Sequence, residues 1–183
     1  KYVENIAITL GGVDKNNNML KILSIIKKFK LLENVKIKII IGLGYKQKKK
    51  LLELINKMNN MNYKIEIVEK VDLLSKHLID CDFVIASNGR TVFEIASLNI
   101  PLISLSVNKR EQQHNFVRKS NVGYHLDYTN NFVYKLKSNI EDMMDFSIRK
   151  KKIKNLEKED LKKGITAVTT KIMTEYELVM HNE

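Results

Sequence analysis

Short apolar runs alternate with segments of helical periodicity along most of this 183-residue chain, and no other feature restricts the possible folds as strongly. Ile6-Ala7-Ile8-Thr9-Leu10, Val35 to Ile41, Tyr63 to Val68, Asp82 to Ala86 and Pro101 to Leu105 read as buried strands. Three of them run into glycine-bearing turns, Gly11-Gly12, Gly42-Leu43-Gly44 and Ser87-Asn88-Gly89. Between strands, Met19 to Leu32 sets Met19, Ile22, Leu23, Ile26 and Phe29 at helical spacing, and Lys46 to Met58 repeats the pattern under a lysine coat. Shorter helices are predicted over Leu73 to Ile79, Thr91 to Leu98 and Gln112 to Ser120. Connections too long for hairpins require parallel strands with crossover helices on both faces. Tyr124-His125-Leu126 reads as a short edge strand. The expected architecture is a Rossmann-like, doubly wound α/β domain over residues 1–128. A helical extension over 129–183 follows it, with Val133, Leu136, Ile140 and Met143 on one face, and Ile165, Val168, Ile172, Tyr176 and Val179 on another. The charged stretch Arg149 to Lys163 between them has no apolar stripe.

Composition narrows the functional classes. Hydrophobic residues make up 44% and charged residues 29% of the chain, which excludes wholesale disorder. No apolar run reaches the roughly 18–20 residues of a membrane span, and the opening residues lack a signal-peptide pattern. The single cysteine, Cys81, rules out an internal disulfide framework and a multi-cysteine zinc site. The expected setting is the cytoplasm. The net charge of +11 comes from 28 Lys against only 4 Arg, and Lys with abundant Asn and Ile is what AT-rich coding produces. Nucleic-acid surfaces favour Arg forks and aromatic platforms, and aromatics are 7% of the chain with no Trp. The lysine coat therefore reads mainly as solvated surface.

Ligands of open parallel sheets bind beyond the carboxyl ends of the strands, and three loops there carry distinctive residues. Gly11-Gly12-Val13-Asp14 exposes backbone N–H groups that can face a phosphate, although the Gly-Lys-Ser/Thr ending of a P-loop is missing. Its structural alternative is a tight turn with Asp14 or Asn17 capping the next helix. Ser87-Asn88-Gly89-Arg90-Thr91 joins a strand to a helix start suited to an anion. Glu94 stands three residues after Thr91, as either a capping-box carboxylate or an acceptor for ribose hydroxyls. Asn108-Lys109-Arg110-Glu111-Gln112-Gln113-His114-Asn115 offers consecutive amides suited to sugar hydroxyls, or simply a polar helix opening.

In that order these motifs, with Ile100-Pro101-Leu102-Ile103 between the last two, resemble the C-terminal domain of GT-B nucleotide-sugar enzymes. By function the comparison is with the N-acetylglucosaminyltransferase that makes lipid II. The Gly11-Gly12-Val13-Asp14-Lys15-Asn16-Asn17 opening is more similar to that of the UDP-sugar hydrolases of pseudaminic acid synthesis and their spore-coat polysaccharide relatives. The resemblance spans roughly residues 5–126. It implies that Gly11, Gly12, Ser87, Asn88, Gly89, Arg90 and Thr91 hold a nucleotide diphosphate and that Glu94 binds the ribose. Val71 falls where uracil is met through backbone groups, and Gln112 and Gln113 would face the sugar or the bridging phosphates. Asn88 departs from the small residue usual there and is expected to narrow the cradle. Arg90 replaces a neutral residue and is expected to strengthen it.

The implied activity is release of UDP by water attack at the anomeric carbon, with no cofactor and no metal. Catalytic groups would come from an N-terminal domain of the same polypeptide, which the sequence beginning at Lys1 does not include. Alternatives are the donor-binding domain of a glycosyltransferase, a non-catalytic nucleotide-binding module, or a nucleic-acid-binding domain. The last is suggested by Lys46, Lys48, Lys49, Lys50 and the 149–163 stretch.

Overall fold

The computed structural model describes residues 2–163 together with 170 and 171. Six parallel strands form one sheet: β1 (Asn5–Thr9), β2 (Lys36–Ile40), β3 (Lys64–Val68), β4 (Phe83–Ser87), β5 (Leu102–Ser106) and β6 (Gly123–Asp127). Their order is β3-β2-β1-β4-β5-β6. The chain steps outward from β1 to β3, returns to pair β4 against the other side of β1, and steps outward again. The direction therefore reverses between β1 and β4, which is where such sheets open a crevice at their carboxyl ends. β1 is in register with both neighbours, Ile8 lying against Ile39 of β2 and Ile85 of β4.

Alternation within each strand divides the core in two. Ile6, Ile8, Phe83 and Ile85 point to one face, under α1 (Asn18–Lys28), α2 (Lys48–Asn59) and α7 (Phe132–Met144). Ala7, Val84 and Ala86 point to the other, against α3 (Ser75–Leu78), α4 (Thr91–Ser97) and Leu156 of α8 (Phe146–Glu159). Phe132, Leu136, Ile140 and Met143 join the first core, so α7 packs on the sheet itself. The face expected from Ile165, Val168, Ile172, Tyr176 and Val179 lies outside the described residues. Among those residues, no helix is long and apolar enough to cross a membrane.

Two expectations change. The single helix over Gln112 to Ser120 is two short ones, α5 (Lys109–Gln112) and α6 (Phe116–Lys119). The interruption falls where the carbonyls of Glu111 and His114 accept from the buried Asn88 side chain, which draws that turn toward β4. The charged stretch without an apolar stripe is α8, and it docks by cations. Arg149, 3% exposed, donates through Nη1 to the carbonyls of Met143 and Met144 at 2.6 and 2.9 Å, closing the end of α7. Lys152 donates to Asn121 Oδ1 at 2.6 Å and to the Gly123 carbonyl at 3.2 Å. Burial, and then neighbouring Lys151, push the Lys152 pKa down. Long aliphatic stems make such burial possible, because they pack like apolar side chains while the head finds carbonyls.

Candidate functional site

The turn after β1 is locked from two sides. Asp14 receives the N–H groups of Asn18 and Met19 on its two carboxylate oxygens at 2.9 and 2.8 Å, capping α1 from outside the helix. Asn17 occupies the cap position and makes no side-chain cap bond. Both Asp14 and Asn17 have positive φ, at 38° and 53°, a conformation that Asn and Asp tolerate better than most residues. From the β2 side, the Gly44 N–H donates to the Gly12 carbonyl at 3.1 Å. A Cβ on Gly42 would overlap the Gly12 Cα, so the two turns touch backbone to backbone. A Cβ on Gly12 would instead meet nothing within 4 Å. Its missing side chain faces open space.

The β1, β4 and β5 turns converge at this rim. Ser87 Oγ lies 3.7 Å from where a Gly11 Cβ would stand and 3.9 Å from the Gly89 position. Glu111 Oε1 is 3.7 Å from that same Gly89 position. A cavity of about 460 Å³ over the start of α1 is bordered by Gly11, Gly12, Asp14, Asn18, Ser87 and Glu111, among others. On one side, Gly11 and Gly12 also border a cavity of about 580 Å³ that reaches Val71. On the other, Asn16, Asn18, Val107 and Asn108 also border one of about 410 Å³ that reaches Gln112 and Tyr128. Among the described residues, the N–H groups of Gly12, Gly89 and Arg90 have no acceptor. Backbone N–H groups without an acceptor are the kind of donor that can face an anion.

The remaining sequence candidates are placed less uniformly. Asn88 is 2% exposed and its side chain points away from the rim, donating to the carbonyls of Glu111 and His114 at 2.7 and 2.9 Å. His114 Nδ1 returns a bond to the Asn88 carbonyl at 2.8 Å. This amide ties β4 to α5 and does not narrow the rim. Arg90 and Glu94 are exposed and Thr91 is half-buried. Arg90 stands at the cap of α4 without a side-chain cap bond, so the capping box open to Thr91 and Glu94 does not form. Gln113 is exposed at the end of α5 and borders none of the three cavities.

Sequence reasoning gave no role of their own to Asn18, Glu111 or the cluster around His125. Glu111 receives the Val107 N–H at 3.0 Å and donates its own N–H to Asn108 Oδ1 at 3.0 Å. Asn-x-x-Glu at 108–111 is the signal that could have found it. His125 lies with Nδ1 2.8 Å from Ser104 Oγ, and with Nε2 3.1 Å from Ser106 Oγ and 3.3 Å from Asp127. A nucleophilic triad puts hydroxyl and carboxylate on opposite ring nitrogens. Here Ser106 and Asp127 share one, and Ser104 is fully buried, so the cluster is a structural one. Among the described residues, no group of His, Cys, Asp and Glu could hold a metal ion.

Burial, followed by the Arg118 charge, lowers the His125 pKa despite Asp127. The unfolded chain then takes up a proton on this ring before the folded one does. The stability held by neutral His125 is complete above about pH 6.5 and drains away as pH falls through the folded value. Wild type is expected to lose more unfolding free energy than His125→Asn between about pH 7 and pH 5. Urea titrations across that range check this, and parallel slopes would contradict it.

No family model matches the chain. An uncharacterised protein of Methanocaldococcus jannaschii is 28% identical over 114 residues, which are 62% of this chain and 23% of the relative. The described fold is the Rossmann-like α/β type found in GT-B enzymes. MurG of Acinetobacter baumannii superposes with a TM-score of 0.69 at 16% identity, over 85% of this chain and 47% of that one. The spinosyn rhamnosyltransferase SpnG, solved with thymidine diphosphate, gives 0.67 at 17% identity, over 87% and 42%. UDP-GlcNAc 2-epimerase of Methanocaldococcus jannaschii gives 0.57 at 21% identity, over 78% and 39%. The chain spans less than half the length of each solved protein and about a quarter of the sequence relative.

Proposed function

We propose that this chain is the nucleotide-sugar-binding half of a GT-B-type enzyme of surface-polysaccharide or nonulosonic acid synthesis, acting in the cytoplasm. The observation that carries the reading is the open rim at the β1/β4 reversal, where Gly12 faces free space and N–H groups from two turns lack acceptors. A pyrophosphate fits that donor set, and preorganised donors stabilise the charge that grows on a departing diphosphate. Gly11, Gly12, Ser87, Gly89 and Thr91 form its cradle, with Arg90 adding charge from the edge and Asn88 contributing backbone alone. The base enters the cavity at Val71, exposed Glu94 on α4 accepts from the ribose, and Gln112 and Gln113 lie toward the sugar.

Within that class the reaction is hydrolysis of a UDP-sugar, on the strength of the Gly-Gly-x-Asp-x-x-Asn opening; the nucleophilic machinery belongs to a partner domain. The second reading is the donor half of a glycosyltransferase, favoured by the likeness to MurG and SpnG. UDP released from a UDP-sugar by the whole protein in water alone supports hydrolysis, and release only with an added acceptor supports transfer. The nucleic-acid alternative is weakened because Arg149 and Lys152 are buried and Lys48 pairs with Glu69.

Calorimetry with UDP tests the site. Glu94→Ala should weaken binding about ten-fold, the scale of a charge-assisted hydrogen bond, at unchanged thermal stability. Unaltered affinity would reject the ribose role.

A further inference from the structure

Asn18 opens α1 and is 2% exposed, yet its Nδ2 has no hydrogen-bond partner among the described residues. An unsatisfied buried donor of this kind costs about 1–3 kcal/mol, so one that persists calls for an explanation, and a ligand partner is one. This side chain borders both the cavity over α1 and the neighbouring one that reaches Gln112. It therefore stands at their seam.

The surrounding charges indicate what that partner is. The N–H groups of Asn18 and Met19 are already held by the Asp14 carboxylate, so the α1 end is closed to an anion. Asp14 borders the cavity over α1, and a carboxylate repels a phosphate while accepting readily from hydroxyls. A half-turn of the Asn18 amide exchanges donor and acceptor. A hydroxyl can use either end, whereas a phosphate oxygen can use only the donor.

We infer that Asn18 reads a hydroxyl of the ligand's glycosyl group, and that the cavity over α1 takes this uncharged, polyhydroxyl part while the pyrophosphate stays on the Gly12–Gly89 side. The assignment rests on the nucleotide-sugar reading and adds a specificity residue to it. The charged and neutral parts of the ligand are separated by Asp14, which fills the helix end that an anion would otherwise take.

The test compares wild type with Asn18→Ala, titrating each with UDP, UDP-glucose, UDP-galactose and UDP-N-acetylglucosamine, with melting curves alongside. The expected result is that at least one UDP-sugar binds wild type more tightly than UDP does. Asn18→Ala should lose about five-fold or more of that affinity, keep its UDP affinity, and melt no lower than wild type because a buried orphan donor is gone. Three outcomes overturn the inference: UDP-sugars no tighter than UDP in wild type, equal losses for UDP and UDP-sugar, or a lower melting temperature with binding intact. Failure of wild type to bind UDP at all would instead strike the nucleotide-sugar reading beneath it.

Discussion

Gly42→Ala is expected to destabilise the protein by about 3 kcal/mol, the upper range for overpacking, and to abolish UDP binding. The added methyl would overlap the Gly12 Cα, and the Gly12 carbonyl oxygen and carbon lie only 2.7 and 2.9 Å from its position. Backbone cannot swing aside as a flexible side chain would, so the turn after β1 must move, and with it the Gly44 N–H bond to Gly12. For a domain of this size the melting temperature should fall by roughly 6–12 °C. Gly12→Ala is the matched control. Its methyl meets nothing within 4 Å, so it should melt within about 2 °C of wild type while losing about ten-fold or more in UDP affinity by filling the rim. Differential scanning calorimetry and UDP titration on both variants check this, and equal behaviour of the two would refute the geometry.

Asn88→Ala is expected to cost about 2–3 kcal/mol, because it strips the carbonyls of Glu111 and His114 of a buried donor and leaves a void between β4 and α5. The corresponding fall in melting temperature is roughly 4–12 °C. Asn88→Asp should be no milder, since a carboxylate brings no donor to either carbonyl. Gln112 and Glu111 ride on the segment that Asn88 holds, so both variants should also weaken UDP-sugar binding. Circular dichroism melts decide the matter: a fall of less than about 2 °C would show that the clamp contributes little.

The strands were legible because each must satisfy a local rule that leaves a written trace. Ile6, Ile8, Phe83 and Ile85 serve one core and Ala7, Val84 and Ala86 the other, so the central positions of β1 and β4 are all apolar and the runs stand out. Most of the α7 face was legible for the same reason, since Leu136, Ile140 and Met143 repeat at helical spacing, with Phe132 rather than the expected Val133 completing it. In α8 that rule fails. Its buried residues are Arg149, Lys152 and Leu156, and a cation that buries its stem against distant carbonyls reads in sequence like any solvated lysine.

The candidate site divides along the same line. Glycines after buried strands marked where backbone would lie open: Gly12 borders the cavities beside it, and Gly89 lies near Ser87 and Glu111, which border one of them. What each polar side chain does there depends on neighbours far along the chain. Asn88 is directed by Glu111 and His114, 23 and 26 residues away, and the Asn18 amide nitrogen has no partner among the described residues. Gly42 is required by a turn 30 positions earlier in the chain, which no spacing within its own segment reveals.

By itself, then, the amino-acid order determined a layered α/β scaffold and the rim on which chemistry could sit, because hydrophobic period and glycine placement act over a few residues. Tertiary structure alone decided which polar groups hold the scaffold together and which are left without a protein partner among the described residues, because a hydrogen bond is satisfied by whatever the fold brings within about 3 Å, however distant in the chain.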